Sequence, residues 1–239
     1  MRDPYFYDDC PVLRNLLNIR DEGELDKAEA ELSRARMMLL YDAGFRDFSE
    51  TAVSEIHRYL FGDVYDWAGQ YRKINVIKRE RLLAGQSVWY SNCEDIERDL
   101  KRVWTRFRRT KWDGITKRQF VKKVSRLFPA LWQIHPFREG NTRTVVMLLT
   151  FFVEAHRYFF DQDLMAQSAG YVRNAFVLAS LGKNAEYQHL EKILMDAIST
   201  NPPEIAEDTE EAEAPQTRYE KYKTDYQPIK HEYQPNTSS

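Results

Sequence analysis

The sequence predicts an all-α protein: a helical bundle over residues 1–200, interrupted by one short β-hairpin and followed by a tail without fixed structure. Apolar residues recur at three- and four-residue spacing through most of the first 200 positions. β-friendly residues bounded by a charged turn occur in a single stretch, and the composition changes abruptly after Thr200.

Glu24–Leu40 carries leucines and alanines at helical spacing with few breakers. Thr51–Phe61 repeats the pattern, with Val53, Ile56, Tyr59 and Leu60 on one side. Residues 71–90 hold Ile74, Val76 and Ile77, a polar Lys78-Arg-Glu-Arg, Gly85, then Val88-Trp89-Tyr90, which predicts a hairpin with a charged turn. A lone hairpin is marginally stable, so it must lie against helices. Ile96–Phe107 places Ile96, Leu100, Val103, Trp104 and Phe107 on one face. Thr116 stands three residues before Gln119, a capping-box start ahead of Phe120, Val124, Leu127, Phe128 and Leu131. Pro129 inside that pattern should kink the helix or end it early. Val145–Val153 is apolar nearly all round and predicts a buried core helix, and Ala185–Ile198 closes the bundle. No repeat and no boundary is visible inside residues 1–200.

At 239 residues, 43% apolar and 30% charged, the chain has the composition of a globular protein that builds its core without staples. Cys10 and Cys93 form neither a disulfide framework nor a metal-ligand spacing, which suits a reducing cytoplasm. Met1-Arg-Asp-Pro-Tyr-Phe shows no apolar leader, and no apolar run is long enough to span a bilayer. The expected location is a cytoplasm, the protein's own or that of a cell into which it is delivered. Residues 201–239 hold nine acidic and four basic residues, a net of −5; the whole chain carries −2, so residues 1–200 carry +3. With few aliphatics, the tail is expected to be disordered. Its spaced Tyr219, Tyr222, Tyr226 and Tyr233 suggest recognition or self-modification against the plainer reading of a solvated tail.

Residues 135–144 read His-Pro-Phe-Arg-Glu-Gly-Asn-Thr-Arg-Thr. His135 precedes a proline, which keeps it out of helical geometry, so it sits where a helix has just ended. Gly140 permits a turn with positive φ. Gly140-Asn141 at the head of a core helix points backbone N–H groups outward with the helix dipole behind them, which makes an anion site. Arg143 adds a fork of charged donors suited to phosphate. Glu139 is an oxygen ligand where Mg²⁺ can be shared with phosphates. His135 is the only side chain here of a type whose free pKa lets it accept a proton near pH 7. These parts fit attack by a hydroxyl on phosphorus, with a base taking the proton.

The segment resembles the Fic family signature, His-x-Phe-x-(Asp/Glu)-Gly-Asn-Gly-Arg-x-x-Arg. Glu24-Leu-Asp-Lys-Ala-Glu-Ala-Glu-Leu resembles that family's entry helix, and Ile56–Arg72 resembles the stretch leading into its flap hairpin. The resemblance spans roughly residues 10–198. It implies a Fic-fold helical bundle with a hairpin flap, Mg²⁺-ATP as donor, and AMP transfer to a Ser, Thr or Tyr hydroxyl of a target protein. It implies His135 as general base and Glu139 as the Mg²⁺ ligand, with Gly140, Asn141, Thr142 and Arg143 on the phosphates and Phe137 buried to fix the loop. Lys78 and Arg79, near the flap turn, are assigned to nucleotide or target.

Two positions depart from the signature. Thr142 replaces its second glycine, a strained choice if that position needs positive φ. Val146 replaces its last arginine, which weakens the hold on the terminal phosphate. The family's inhibitory motif, (Ser/Thr)-x-x-x-Glu-(Gly/Asn), is absent, so restraint in cis is not expected, while a separate inhibitor protein stays open. The readings that remain are an active adenylyltransferase, a weakened or nucleotide-binding module, and transfer of another phosphate-containing group. A more remote one is nucleic-acid binding by Arg98–Lys123, where eleven Lys/Arg interleave with Trp104, Phe107 and Trp112. The helical spacing of those aromatics points instead to a core face with a solvated basic side.

Overall fold

The computed structural model describes residues 3–201 and Tyr222. Among them are eight α-helices: α1 (Glu22–Ala43), α2 (Ala52–Phe61), α3 (Ile96–Arg109), α4 (Lys117–Ile134), α5 (Asn141–Ala155), α6 (Gln162–Gln167), α7 (Ala169–Ala179) and α8 (Gln188–Ala197). Two strands, β1 (Phe159–Phe160) and β2 (Ile198–Ser199), pair antiparallel with Phe159 opposite Ser199 and Phe160 opposite Ile198. The chain forms two compact units. One comprises residues up to Val76, Ser91–Trp104 and Ile134–Phe151; the other comprises Ile77–Tyr90, Thr105–Gln133 and residues from Phe152 onward. Each unit draws on three separated stretches, so no single point along the sequence marks a boundary between them.

In the first unit, Asp21 caps α1 by accepting the Glu24 N–H at 2.9 Å, leaving one orphan donor fewer at that end. α2 buries Val53, Ile56, His57, Leu60 and Phe61, and the first part of α3 buries Ile96, Leu100, Val103 and Trp104. Full burial of such side chains contributes about 1.5–3 kcal/mol each. Arg98, Lys101 and Arg102 are exposed on the opposite side of α3, the solvated face that its spacing predicts. Trp104 and Phe107 are both buried, so neither offers the stacking surface that the nucleic-acid reading requires.

In the second unit the predicted capping box is formed. Thr116 donates its N–H to Gln119 Oε1 at 2.9 Å, and Gln119 returns its N–H to Thr116 Oγ1 at 3.3 Å. Pro129 does not end α4, which continues to Ile134. An aromatic cluster packs beside it: Phe107 meets Phe128 edge-on at 5.2 Å, Trp112 meets Phe152 at 4.9 Å, and Phe120 meets Tyr158 at 4.8 Å.

The strands expected across residues 71–90 do not form; the two-stranded sheet lies at β1–β2 instead. The chain does reverse, through a 3₁₀ turn at Arg81–Leu83 and a left-handed Ala84 with φ 53°. One side-chain bond and one main-chain bond across the reversal stand in place of a ladder of strand bonds. Lys78 donates its N–H to Ser87 Oγ at 3.2 Å, while Glu80 donates its N–H to the Gln86 carbonyl at 2.9 Å. The charged turn is not wholly solvated either. Glu80 is 2% exposed and forms a bidentate pair with Arg173 of α7 at 2.7 and 2.8 Å.

The expected disordered tail lies outside the described residues except at Tyr222. That tyrosine is buried, meets the Tyr171 ring edge-on at 4.9 Å and donates its hydroxyl to Asp196.

Candidate active site

Residues 135–143 all lie in the first unit and span the loop after α4 and the first turn of α5. His135 follows the last residue of α4 with φ 52°, the left-handed conformation, and is 3% exposed. The following proline bars the helical region, so the chain leaves α4 here, as the sequence indicates.

The loop after it is closed by one side chain. Asn141 accepts the Phe137 N–H on Oδ1 at 2.9 Å and donates from Nδ2 to the Phe137 carbonyl at 2.8 Å. Its amide therefore shapes the loop, and its main-chain N–H lies at the head of α5, where the sequence reading places a phosphate. The Phe137 ring is fully buried and stacks on His57 with centroids 3.8 Å apart.

Gly140 has φ 79°, and a Cβ built there would lie 2.5 Å from two ring atoms of Phe61. Only glycine fits that space. The Gly140 carbonyl accepts the first bond of α5 from the Thr144 N–H at 3.1 Å, and Thr144 Oγ1 at 3.0 Å. The N–H groups of Asn141, Thr142 and Arg143 thus have no carbonyl four residues back within the helix. They form the positive end of its dipole. Thr142 is helical and has no positive φ, so the strain considered for a β-branched residue there does not arise.

Glu139 is half-buried beside this helix end, its Oε1 accepting the Gly140 N–H at 3.2 Å. Among the described residues no group of three or more His, Cys, Asp or Glu is gathered for a metal. A lone carboxylate fits Mg²⁺ that takes its remaining ligands from phosphates and water, as that ion does.

Arg143 is turned toward α1. Its Nη1 donates to Ser33 Oγ at 2.7 Å, its Nη2 donates to the Glu29 carboxylate, and its guanidinium lies 4.7 Å over the Phe61 ring. Tyr65 donates its hydroxyl to the other Glu29 oxygen. Burial, reinforced by that carboxylate, pushes the Tyr65 phenol well above its ordinary range, so it stays a donor. Glu29 is 6% exposed, and a carboxylate removed from water needs such partners. Two of the five guanidinium donors serve these bonds, and the side chain is 32% exposed, which leaves part of the fork able to meet an anion.

His57 lies on the helical pattern of Thr51–Phe61, where a satisfied structural histidine is expected, and both of its ring nitrogens are bonded. It accepts the Gly69 N–H on Nδ1 at 2.9 Å and donates from Nε2 to the Glu139 carbonyl at 3.0 Å. The Nδ1 bond needs the neutral ring, since a protonated Nδ1 cannot accept. Burial is the main reason its pKa falls from the ordinary 6.5 to about 3. The unfolded chain binds a proton at His57 below about 6.5, whereas the folded chain does not until about 3. Stability is therefore lost as pH falls through that window, by up to about 1.4 kcal/mol per pH unit from this group. Thermal melts of the wild type and His57→Gln will show the variant less stable at pH 7, with the gap narrowing by pH 4.5. A constant gap would show that His57 is not held neutral.

Lys78 and Arg79 belong to the second unit, Lys78 half-buried and Arg79 exposed. Tyr65 and Trp67, read from the sequence as core aromatics, stack on each other at 4.2 Å and are buried.

The Fic/DOC family model matches residues 47–153, which take in the whole loop and most of α5. The Sinorhizobium fredii protein y4lH, named a probable protein adenylyltransferase, is 35% identical over 165 residues, 68% of this chain and 81% of that one. The chain belongs to the Fic/DOC family. Escherichia coli K12 Fic, also named a probable protein adenylyltransferase, is 28% identical over 170 residues, 71% of this Fic/DOC chain and 75% of that protein. The solved structure of BepC from Bartonella tribocorum with bound AMPPNP shares the fold, with a TM-score of 0.70 at 19% identity over 82% of this chain and 97% of that one. The mostly helical architecture is thus the Fic fold, and the family's relatives are adenylyltransferases by name. Among the described residues no helix of this Fic/DOC protein is long and apolar enough to cross a membrane.

Proposed function

We propose that this protein transfers AMP from Mg²⁺-ATP to a Ser, Thr or Tyr hydroxyl of a target protein. The observation that carries the reading is one loop. A histidine ends α4, and a few residues later a glycine held at positive φ opens the N-terminus of a buried helix. The target oxygen attacks the α-phosphorus, its proton passes to His135, and the bond to the β,γ unit breaks so that pyrophosphate leaves with the bonding electrons. The first-turn N–H groups of α5 hold phosphate oxygens, with Arg143 adding charge. Mg²⁺ would be held by Glu139 together with those oxygens and would neutralise phosphate charge. The names of the relatives and the AMPPNP bound to BepC support a nucleotidyl donor. Free Cys10 and Cys93 suit action in a cytoplasm, native or foreign.

A second reading, a nucleotide-binding module of low turnover, draws on the Arg143–Glu29 pair and on Val146 at the position of the signature's last arginine. Parallel incubations of protein, Mg²⁺ and cell lysate with α-labelled or γ-labelled ATP separate the readings. Adenylyl transfer labels protein from the α position only and releases pyrophosphate. Label from the γ position would mean phosphoryl transfer, and none from either would leave the binding module.

A further inference from the structure

Arg72 is 2% exposed, yet it carries a guanidinium. The group is satisfied largely by main chain. Nε donates to the His135 carbonyl at 2.8 Å and Nη1 to the Ile74 carbonyl at 2.7 Å. Nη2 donates to the Ser91 carbonyl and, more weakly, to that of Ile134 at 3.5 Å. The Arg72 backbone N–H donates to the Pro136 carbonyl at 2.8 Å. One residue therefore holds three consecutive carbonyls, those of Ile134, His135 and Pro136.

The last carbonyls of a helix lack partners within it, and α4 has no basic residue in its own last turn. A cation brought from outside can satisfy those carbonyls and oppose the negative end of the dipole. The placement goes further than capping. The Ile134 and His135 carbonyls belong to the two peptide planes that flank the His135 Cα. Fixing both planes fixes φ and ψ of His135, and with them the direction of its Cα–Cβ bond. His135 sits in the left-handed region, which is unfavourable for a non-glycine residue and persists only when neighbours enforce it.

We propose that Arg72 is a positioning residue for His135: its planar fork locks the backbone that aims the imidazole. The proposal rests on the reading of His135 as the base. Lysine cannot take this role, because a single ammonium does not reach carbonyls spread along a fork. Displacement of a catalytic group by about 1 Å can lower rate by roughly 100-fold.

The test uses the full chain labelled with ¹⁵N-histidine. The ring signals of His135 are identified as those missing from His135→Gln. In Arg72→Lys the His135 ring signals are expected to move or split, while those of His156 and His189 stay in place. Label transfer from α-labelled ATP to lysate protein, at saturating ATP, should fall about 100-fold with AMPPNP affinity changed by less than about twofold. If Arg72→Lys does not give a wild-type circular dichroism spectrum, Arg72→Gln, neutral and shorter, is measured in the same way. An unmoved His135 signal, undiminished transfer, or a parallel loss of AMPPNP affinity would each overturn the proposal. Full transfer by His135→Gln would instead remove the base assignment, and the ring signals would still report on Arg72.

Discussion

Replacing His135 with alanine should lower transfer of α-label from ATP to protein by about 10²–10⁴-fold, the range that a positioned general base supplies. The expectation follows from place rather than residue type alone. The chain also has His57, His156 and His189 among its described residues, and each is accounted for by packing or local bonds. His57 is held neutral between Gly69 and Glu139, His156 bonds the Phe152 carbonyl at 2.7 Å, and His189 lies 3.2 Å from Glu186. His135 is the one that stands at the junction of two helices, in the loop that opens α5. AMPPNP affinity should change little in the variant, because the groups proposed to hold phosphate lie further along the loop and in the first turn of α5. Equal rates for the two proteins at saturating ATP would remove His135 from the chemistry. A parallel loss of binding and rate would place it among the nucleotide contacts.

Gly140→Ala should destabilise the fold by roughly 2–5 kcal/mol and abolish AMPPNP binding. Two costs add. An alanine at φ 79° pays roughly 1–2 kcal/mol for the left-handed region. Its Cβ also meets Cε2 and Cζ of Phe61 at 2.5 Å, an overpacking that typically costs about 1–3 kcal/mol. Phe61 cannot swing aside freely, since it is fully buried, lies 4.7 Å from the His57 ring and carries Arg143 over its face. Relief therefore has to come from the loop itself, which moves the N–H groups at the mouth of α5. Chemical denaturation measures the first effect, and calorimetric titration with AMPPNP and Mg²⁺, at a temperature where the variant is folded, measures the second. A variant of wild-type stability that still binds would show that the loop tolerates a side chain there.

What could be read before the structure was whatever depends on near neighbours in the chain. The capping box of α4, the apolar all-round α5 and the positive φ at Gly140 are local consequences of spacing and of backbone sterics. The departure from α4 at His135 follows from Pro136 alone. What could not be read depends on partners distant in sequence. Arg143 was legible as a charged fork, but not its turn toward Glu29 and Ser33, which lie 114 and 110 positions away. His57 sits on the apolar face of α2, and nothing in its own helix signals that its ring will hold a loop 82 residues on. The flap failed as a strand prediction for a related reason. Its β-friendly residues are real, but Ser87 Oγ and the buried Glu80–Arg173 pair take the place of strand pairing. Arg72 was visible only as the end of a segment resembling other family members; its burial and its hold on the end of α4 are tertiary facts.

A loop held by Asn141, His57 and Arg72 is shaped by neutral or main-chain contacts, so its geometry should depend little on ionic strength. The Arg143–Glu29 pair is the exception, since a bound triphosphate brings a competing negative charge to the same fork.

Where a triphosphate sits decides whether this loop is the active site. A crystal structure of the full chain with AMPPNP and Mg²⁺ measures this directly. Phosphate oxygens should accept hydrogen bonds from the N–H groups at Gly140–Arg143, with Mg²⁺ on Glu139 and the α-phosphorus facing the His135 imidazole. A nucleotide bound elsewhere, or one at the mouth of α5 with His135 turned from the α-phosphorus, would contradict it.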